Sequence, residues 1–127
     1  MMKKLNGGGA LSVAALLATL AATPALAGEA DVLDVEPKRM FANQWQFAVT
    51  IRHADNGWAH YADGFDVLAP DGTVLGHRTL YHPHIRQPFN RMITNVEIPR
   101  SIDQVTIRAH DSVHGYGGAT VTVDLDW

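Results

Sequence analysis

Three stretches of this chain alternate apolar and polar residues with a period of two, and no other feature limits the possible folds as firmly. The clearest is "QWQFAVTIRH" (44–53), in which every second residue from Trp45 to Ile51 is apolar. The same alternation recurs in "VTIRAH" (105–110) and in "ATVTVDLDW" (119–127). Because successive side chains of a strand point to opposite faces, each stretch predicts a half-buried β-strand.

The segments between these stretches predict further strands. "FDVLAPDGTVLGHRTL" (65–80) carries Asp71 and Gly72 at its centre, a dipeptide typical of tight hairpin turns. Another strand is expected over about 88–98, where a proline follows, and a leading strand is expected over 31–36. No segment shows a helical period, so the predicted fold is all-β.

Six to seven short strands separated by Gly, Pro and Asp turns predict an antiparallel β-sandwich that is immunoglobulin/fibronectin-III-like. A small closed barrel has the same strand spacing and stays open as the alternative. The length suits one domain with one hydrophobic core.

The amino-terminal segment has the composition of a secretory signal peptide. Two lysines precede an apolar run too short to span a bilayer, and "PALA" closes the segment with an A-x-A cleavage pattern ending at Ala27. We therefore expect residues 1–27 to be removed, leaving 28–127 as a single β-sandwich domain. That domain is expected to be periplasmic or secreted, without membrane insertion.

Charge and cysteine content limit the partners and the metal ligands that the protein can have. The formal net charge is −3, and an acidic chain with scattered arginines is a poor candidate for binding nucleic acid. The chain contains no cysteine, so we expect neither a lipid anchor on cysteine nor thiolate chemistry. Any metal site would be built from His, Asp, Glu or Met.

Six of the seven histidines are expected at one end of the sandwich. In antiparallel alternation, the loop after the 44–52 strand, the loop before the 88–98 strand and the loop after the 105–109 strand all lie at the same end. These loops carry three histidine pairs, His53 with His60, His82 with His84, and His110 with His114. Only His77 falls within a strand.

These histidines are the candidate metal ligands, and the expected cofactor is Zn(II) or Cu(II), the ions that imidazole sites suit. Asp55, Asp63 and Asp111 are candidates to complete or orient the site. On a straight strand His110 and His114 would lie roughly 13 Å apart, so they share an ion only if the chain bends between them.

No catalytic pattern accompanies the histidines, and we expect no enzymatic activity. Ser112, His110 and Asp111 are the residue types of a hydrolase triad, but neighbours on a strand face alternate sides. The glycines of "HGYGG" are followed by a strand and lack a lysine, so they predict a hairpin loop with close backbone approach rather than a phosphate-binding loop.

The predicted function is metal storage, buffering or delivery by a monomeric exported protein. The alternative is a structural or interaction module that binds an exported protein partner through the same loops. Aromatic residues near the histidines would serve such a surface, because aromatics dominate interface energetics. These are Trp58, Tyr61, Tyr81 and Tyr116.

The stretches "RHADNGWAHYADGF", "LYHPHIRQPF" and "IRAHDSVHGYGG" resemble a family of short exported bacterial proteins known mainly as uncharacterised. The resemblance covers most of residues 28–127. It implies an exported β-sandwich and no particular activity.

Overall fold

The structure is a computed structural model that describes residues 28–127, so the predicted signal peptide at 1–27 lies outside the described residues. Within that range the chain forms seven strands and no helix, which confirms the predicted all-β class. The strands in chain order are β1 (Asp31–Phe41), β2 (Gln44–Arg52), β3 (Ala62–Leu68), β4 (Val74–Thr79), β5 (Phe89–Glu97), β6 (Gln104–Asp111) and β7 (Val121–Asp124).

The strands form two antiparallel sheets, ordered β1-β2-β5 and β4-β3-β6-β7. The apolar faces of both sheets contribute to one hydrophobic cluster. The predicted immunoglobulin/fibronectin-III-like sandwich is therefore confirmed, and no ladder within 28–127 joins the sheets into the alternative barrel. Residues 28–127 also contain no helix that could cross a membrane.

Three strand boundaries differ from the sequence prediction. The last strand covers only Val121–Asp124 of the predicted stretch 119–127. The leading strand continues to Phe41 because it pairs with β2 along nearly its whole length. Pro37 lies within this strand and has no N–H to donate to a ladder. Proline is tolerated here because β1 is at the edge of its sheet. The strand before the Asp71-Gly72 turn starts earlier than predicted, at Ala62, where it pairs with Asp111 of β6.

The period-two stretches on β2 and β6 form the core of the sandwich as predicted, whereas the third stretch contributes buried Leu125 and otherwise packs against the core partly buried. The four inner-face residues of β2 are at most 2 % exposed, and those of β6 are at most 3 % exposed. Burying one such aliphatic or aromatic side chain stabilises the fold by about 1.5–3 kcal/mol. These residues are Trp45, Phe47, Val49 and Ile51 on β2, and Val105, Ile107 and Ala109 on β6.

The same alternation ends in polar residues at one end of the core. On β2 the next inward position after Ile51 is His53, and on β6 the next inward position after Ala109 is Asp111. Both residues are buried. Because β2 and β6 belong to opposite sheets, the two side chains approach each other across the sandwich.

The segment before β1 is fastened to the same end. Ala30 is buried, the Val32 N–H donates to the Ala119 carbonyl at 2.9 Å, and the Ala119 N–H donates to Asp31 Oδ1 at 2.8 Å. Gly118 lies so close to the Ala30 carbonyl that a Cβ there would overlap it. The glycines of "HGYGG" thus allow the close backbone approach that the sequence predicted.

Candidate metal centre

Three potential ligand atoms meet where β2 and β6 end. His53 Nε2 lies 3.3 Å from His60 Nε2, and each of these nitrogens lies 3.3 Å from Asp111 Oδ2. The three atoms therefore form an equilateral triangle. The side chains of His53 and Asp111 are fully buried, whereas the His60 side chain is 23 % exposed and faces the opening of the site.

The size of this triangle matches one face of a metal coordination tetrahedron. A centre placed tetrahedrally over 3.3 Å edges lies about 2.0 Å from each vertex, the bond length of Zn(II) to imidazole nitrogen or carboxylate oxygen. The arrangement can therefore accept such an ion without moving the three side chains apart.

A backbone oxygen lies close to two corners of the triangle. The Gly28 carbonyl oxygen is 2.7 Å from His53 Nε2 and 3.1 Å from His60 Nε2. It comes from the segment fastened to residues 118 and 119, so its position does not depend on a flexible side chain. The site thus offers two nitrogens and two oxygens, a donor set that suits Zn(II) or Cu(II).

The orientation of His53 is set by Asp55. Asp55 Oδ1 lies 2.5 Å from His53 Nδ1 and also accepts the Ala62 N–H at 3.2 Å. Because His53 Nδ1–H donates to this carboxylate, the lone pair of Nε2 is directed at the triangle. A carboxylate behind the ring is the usual partner of a metal-binding histidine, since it fixes the tautomer and raises ligand basicity.

Asp55 is itself held by the loop that carries the HPH sequence. Its Oδ2 accepts the His84 backbone N–H at 2.7 Å and lies 3.0 Å from His84 Nδ1. The His84 ring stacks on Phe89 with centroids 3.7 Å apart, and burial keeps the pKa of His84 below its ordinary value. His84 therefore stays neutral near pH 7 and acts on the site through Asp55.

The loop between His53 and His60 brings these two residues back together. The Asn56 N–H donates to the His60 carbonyl at 2.7 Å, and the Asp55 N–H donates to the His53 carbonyl at 2.9 Å. Gly57 occupies the turn with φ +60°, a left-handed conformation that favours glycine. Two histidines seven positions apart thereby direct their Nε2 atoms to one point.

The chain also turns sharply after Asp111. Asp111 Oδ1 accepts the backbone N–H groups of Val113 and His114, and Asp111 and Gly115 exchange two backbone hydrogen bonds at 3.0 Å. Burial alone would raise the pKa of Asp111, but the hydrogen bonds from His114 and Val113 lower it to about 2. The carboxylate is therefore ionised at neutral pH and available to a cation.

The chain bends here as sharing of an ion by His110 and His114 would require, but only His114 comes near the triangle, because His110 lies against Asp63. The His114 ring packs against the His60 ring with centroids 4.9 Å apart, and His114 Nδ1 lies 3.2 Å from Asp111 Oδ2. His114 is therefore at the rim of the triangle, with its side chain 39 % exposed.

Hydrogen-bond acceptors predominate at the point where these atoms meet. They are the Gly28 carbonyl, the Asp111 carboxylate and the Nε2 lone pair of His53, and His60 Nε2 is the one other ring nitrogen close to them. A bound metal ion would satisfy all of these acceptors at once.

The other predicted site residues lie outside the triangle. His82 is exposed and its Nδ1 lies 2.9 Å from the Pro83 carbonyl oxygen. His110 points to the outer face of β6, where its Nδ1 lies 2.5 Å from Asp63 Oδ1. Of the six histidines predicted as ligands, the structure brings His53 and His60 into the triangle and His114 to its rim.

A second polar cluster occupies the outer face of β3, β4 and β6, away from the triangle. Buried Asp66 lies 2.5 Å from His77 Nδ1 and accepts from Arg108 Nε at 2.9 Å and from the Tyr116 hydroxyl at 2.6 Å. Burial raises the pKa of Asp66, but hydrogen bonds from Tyr116, His77 and Arg108 outweigh it, so the pKa lies below its ordinary value. His77 is therefore part of this cluster and lies within β4, in agreement with its predicted mid-strand position.

Sequence reasoning did not find Gly28, because its ligand atom belongs to the backbone. The signal available was the position of this glycine directly after the cleavage pattern. The sequence predicts Asp111 only as a candidate to complete or orient the site, although one further step of the β6 alternation places it inward and His110 outward.

The fold and the site define a small β-sandwich with a candidate metal centre at one end. The chain is similar to a protein of the archaeon Halomicrobium mukohataei named "Putative lipoprotein", with 40 % identity over 98 residues. The match covers 77 % of this chain and 48 % of the relative, so the chain spans about half the length of the curated relative. Neither a family model nor a solved structure matches the chain.

Proposed function

We propose that residues 28–127 bind one transition-metal ion, Zn(II) or Cu(II), through His53, His60 and Asp111. The observation that carries this proposal is the triangle of ligand atoms with 3.3 Å sides, whose centre is at metal-bonding distance from all three. Tetrahedral coordination built on this triangle would favour Zn(II), since Cu(II) prefers tetragonal geometry.

The proposed role is storage, buffering or delivery of the metal outside the cytoplasm, without catalysis. A catalytic zinc site keeps one position open for water or substrate, whereas the Gly28 carbonyl, which is close to both histidine nitrogens, would supply a fourth ligand here. The signal-like sequence of 1–27 and the name of the relative, a lipoprotein, support export. Exposure of His60 and His114 provides a route by which the ion enters.

The test compares two histidine variants of the untagged protein. His60→Ala removes one vertex of the triangle, and His82→Ala removes an exposed imidazole outside it. We expect wild type and His82→Ala to bind one Zn(II) in competition with a chromophoric chelator, and His60→Ala to bind at least about tenfold more weakly. Equal affinity of all three proteins, or no binding by any, contradicts the proposal.

One observation favours a second function, a protein-interaction surface at the same end. Trp58, Tyr81 and Ile85 are 68 %, 76 % and 98 % exposed, although large apolar side chains are usually buried. Binding of an exported protein partner through them would be lost in Trp58→Ala with Ile85→Asp. The metal affinity of this double variant would stay unchanged, because neither residue contributes a ligand.

A further inference from the structure

We propose that the processed amino terminus is itself a metal ligand, so that removal of the leader completes the metal site. The ligand is Gly28, which would bind through its freed α-amino nitrogen together with its carbonyl oxygen. The proposal rests on the metal-binding function above and on the predicted cleavage after Ala27.

The first support is the position of the Gly28 carbonyl. Its distances of 2.7 Å and 3.1 Å to the two histidine nitrogens are close to the 3.3 Å edges of the triangle. The amino nitrogen of a residue lies within roughly 3.6 Å of its own carbonyl oxygen by covalent geometry alone. When the nitrogen and the oxygen lie on the same side of the Cα–C bond, an ion bound by the carbonyl is also within reach of the same residue's nitrogen.

The second support is the fit of Gly28 between two imidazole rings. A Cβ built on Gly28 would lie 3.0 Å from Cε1 of His60 and 3.0 Å from Cε1 of His114, which is closer than ordinary van der Waals contact. The space between the two rings therefore suits glycine, which has no Cβ. Burial of Ala30 and the hydrogen bonds of residues 31 and 32 to Ala119 hold Gly28 in place.

The third support is the chemistry of cleavage. In the precursor, the nitrogen of Gly28 is part of a peptide bond, where its lone pair is delocalised into the carbonyl and is a poor ligand. Hydrolysis of the bond after Ala27 consumes one water and leaves a carboxylate on Ala27 and an amine on Gly28. The amine and the carbonyl oxygen of one residue close a five-membered chelate ring with a metal ion.

Five ligand atoms from the chain would then surround the ion, namely two imidazole nitrogens, one carboxylate oxygen, and the amine and carbonyl of Gly28. Such a set is adequate for five-coordinate Cu(II) or Zn(II). The unprocessed chain would hold the ion less firmly. Metal loading would therefore follow export and cleavage, and the precursor would not compete for metal inside the cell.

The experiment compares three forms of residues 28–127 that differ only at the amino terminus. The first has the free Gly28 amine, the second is acetylated there, and the third carries one N-methyl group. Acetylation removes the lone pair, whereas methylation adds bulk but keeps a basic nitrogen. We expect the acetylated form to bind Cu(II) at least about tenfold more weakly than the free form, and the methylated form to stay within about threefold.

A spectroscopic arm identifies the nitrogen directly. Protein labelled with ¹⁵N only in glycine is loaded with Cu(II) and measured by pulsed electron paramagnetic resonance. Strong coupling to one ¹⁵N nucleus is expected for the free form and should be absent after acetylation. His60→Ala with a free amine serves as the control for the metal site itself.

The outcomes separate the two proposals. Equal affinities of the three forms together with no glycine coupling overturn the amino-terminal ligand but leave the metal function standing. An equal loss on methylation and acetylation, without coupling, shows a purely steric effect and also overturns it. If His60→Ala binds as well as wild type, the proposed metal function fails, and the amino-terminal ligand fails with it.

Discussion

Replacing Asp55 by Asn removes the carboxylate that holds His53 in position while leaving every proposed metal ligand in the chain. Asp55 accepts four hydrogen bonds, two at each oxygen, from His53, Ala62 and the backbone and ring of His84. An amide of the same shape keeps one acceptor oxygen and presents an NH₂ group where the second oxygen was. Whichever way the amide is oriented, its NH₂ group faces two hydrogen-bond donors.

The size of the effect follows from these contacts. Each hydrogen bond to an ionised group contributes about 1.5–3 kcal/mol, so loss of two lowers the free energy of unfolding by about 3 kcal/mol or more. For a domain of this size the melting temperature falls by at least about 12 °C, using about 4–8 °C per kcal/mol. Loss of the orienting carboxylate should weaken metal binding by about 10–100-fold, or about 1.4–2.7 kcal/mol.

The assay combines urea unfolding of the metal-free protein with chelator competition for Zn(II). Asp63→Asn is the matched control, because Asp63 holds His110 by the same kind of contact outside the triangle, and both side chains are partly exposed. We expect this control to keep the wild-type metal affinity. Wild-type affinity in Asp55→Asn, measured on folded protein, would refute the reasoning that Asp55 positions a ligand.

Two further predictions concern stability. The pKa of Asp66 is lower in the folded state than in the unfolded state, where it is near 3.9. The ionised carboxylate therefore stabilises the fold above the unfolded pKa, and this stabilisation is lost as the pH falls through the folded pKa. Asp66→Asn should therefore unfold with about 2 kcal/mol less free energy than wild type at pH 7, and the two urea midpoints should converge as the pH falls below the folded pKa. A gap that is independent of pH contradicts this prediction. Gly118→Ala should push away the segment around Ala30, and we expect both a lower melting temperature and weaker Zn(II) binding. The control is Gly72→Ala in the open β3–β4 turn, which should change stability without changing metal affinity.

The fold was predictable because alternation on β2 and β6 specifies both the strands and their buried faces. It also predicts which end residue turns inward, and His53 shares the face of Ile51 as its parity requires. On β6 the same argument places Asp111 inward and His110 outward. Residue type alone favours His110, because imidazole is the more common transition-metal ligand.

Other parts of the site depend on contacts that no local pattern contains. His82 and His84 were expected to act as a pair, yet the His84 ring stacks on Phe89 while His82 remains exposed. His84 is buried and His82 is exposed because only His84 packs against an aromatic ring of β5. The spacing of residues in the sequence does not predict this contact. The position of Gly28 beside the histidines likewise depends on the hydrogen bonds of residues 31 and 32 to Ala119, which is far away in sequence.

The most direct test of the central claim is anomalous diffraction at the zinc edge from crystals of Zn(II)-loaded protein comprising residues 28–127. The account predicts one strong anomalous peak about 2.0–2.2 Å from His53 Nε2, His60 Nε2 and an Asp111 carboxylate oxygen. A strong peak at His82 and His84 with none at the triangle, or no protein-bound zinc at full loading, would contradict it.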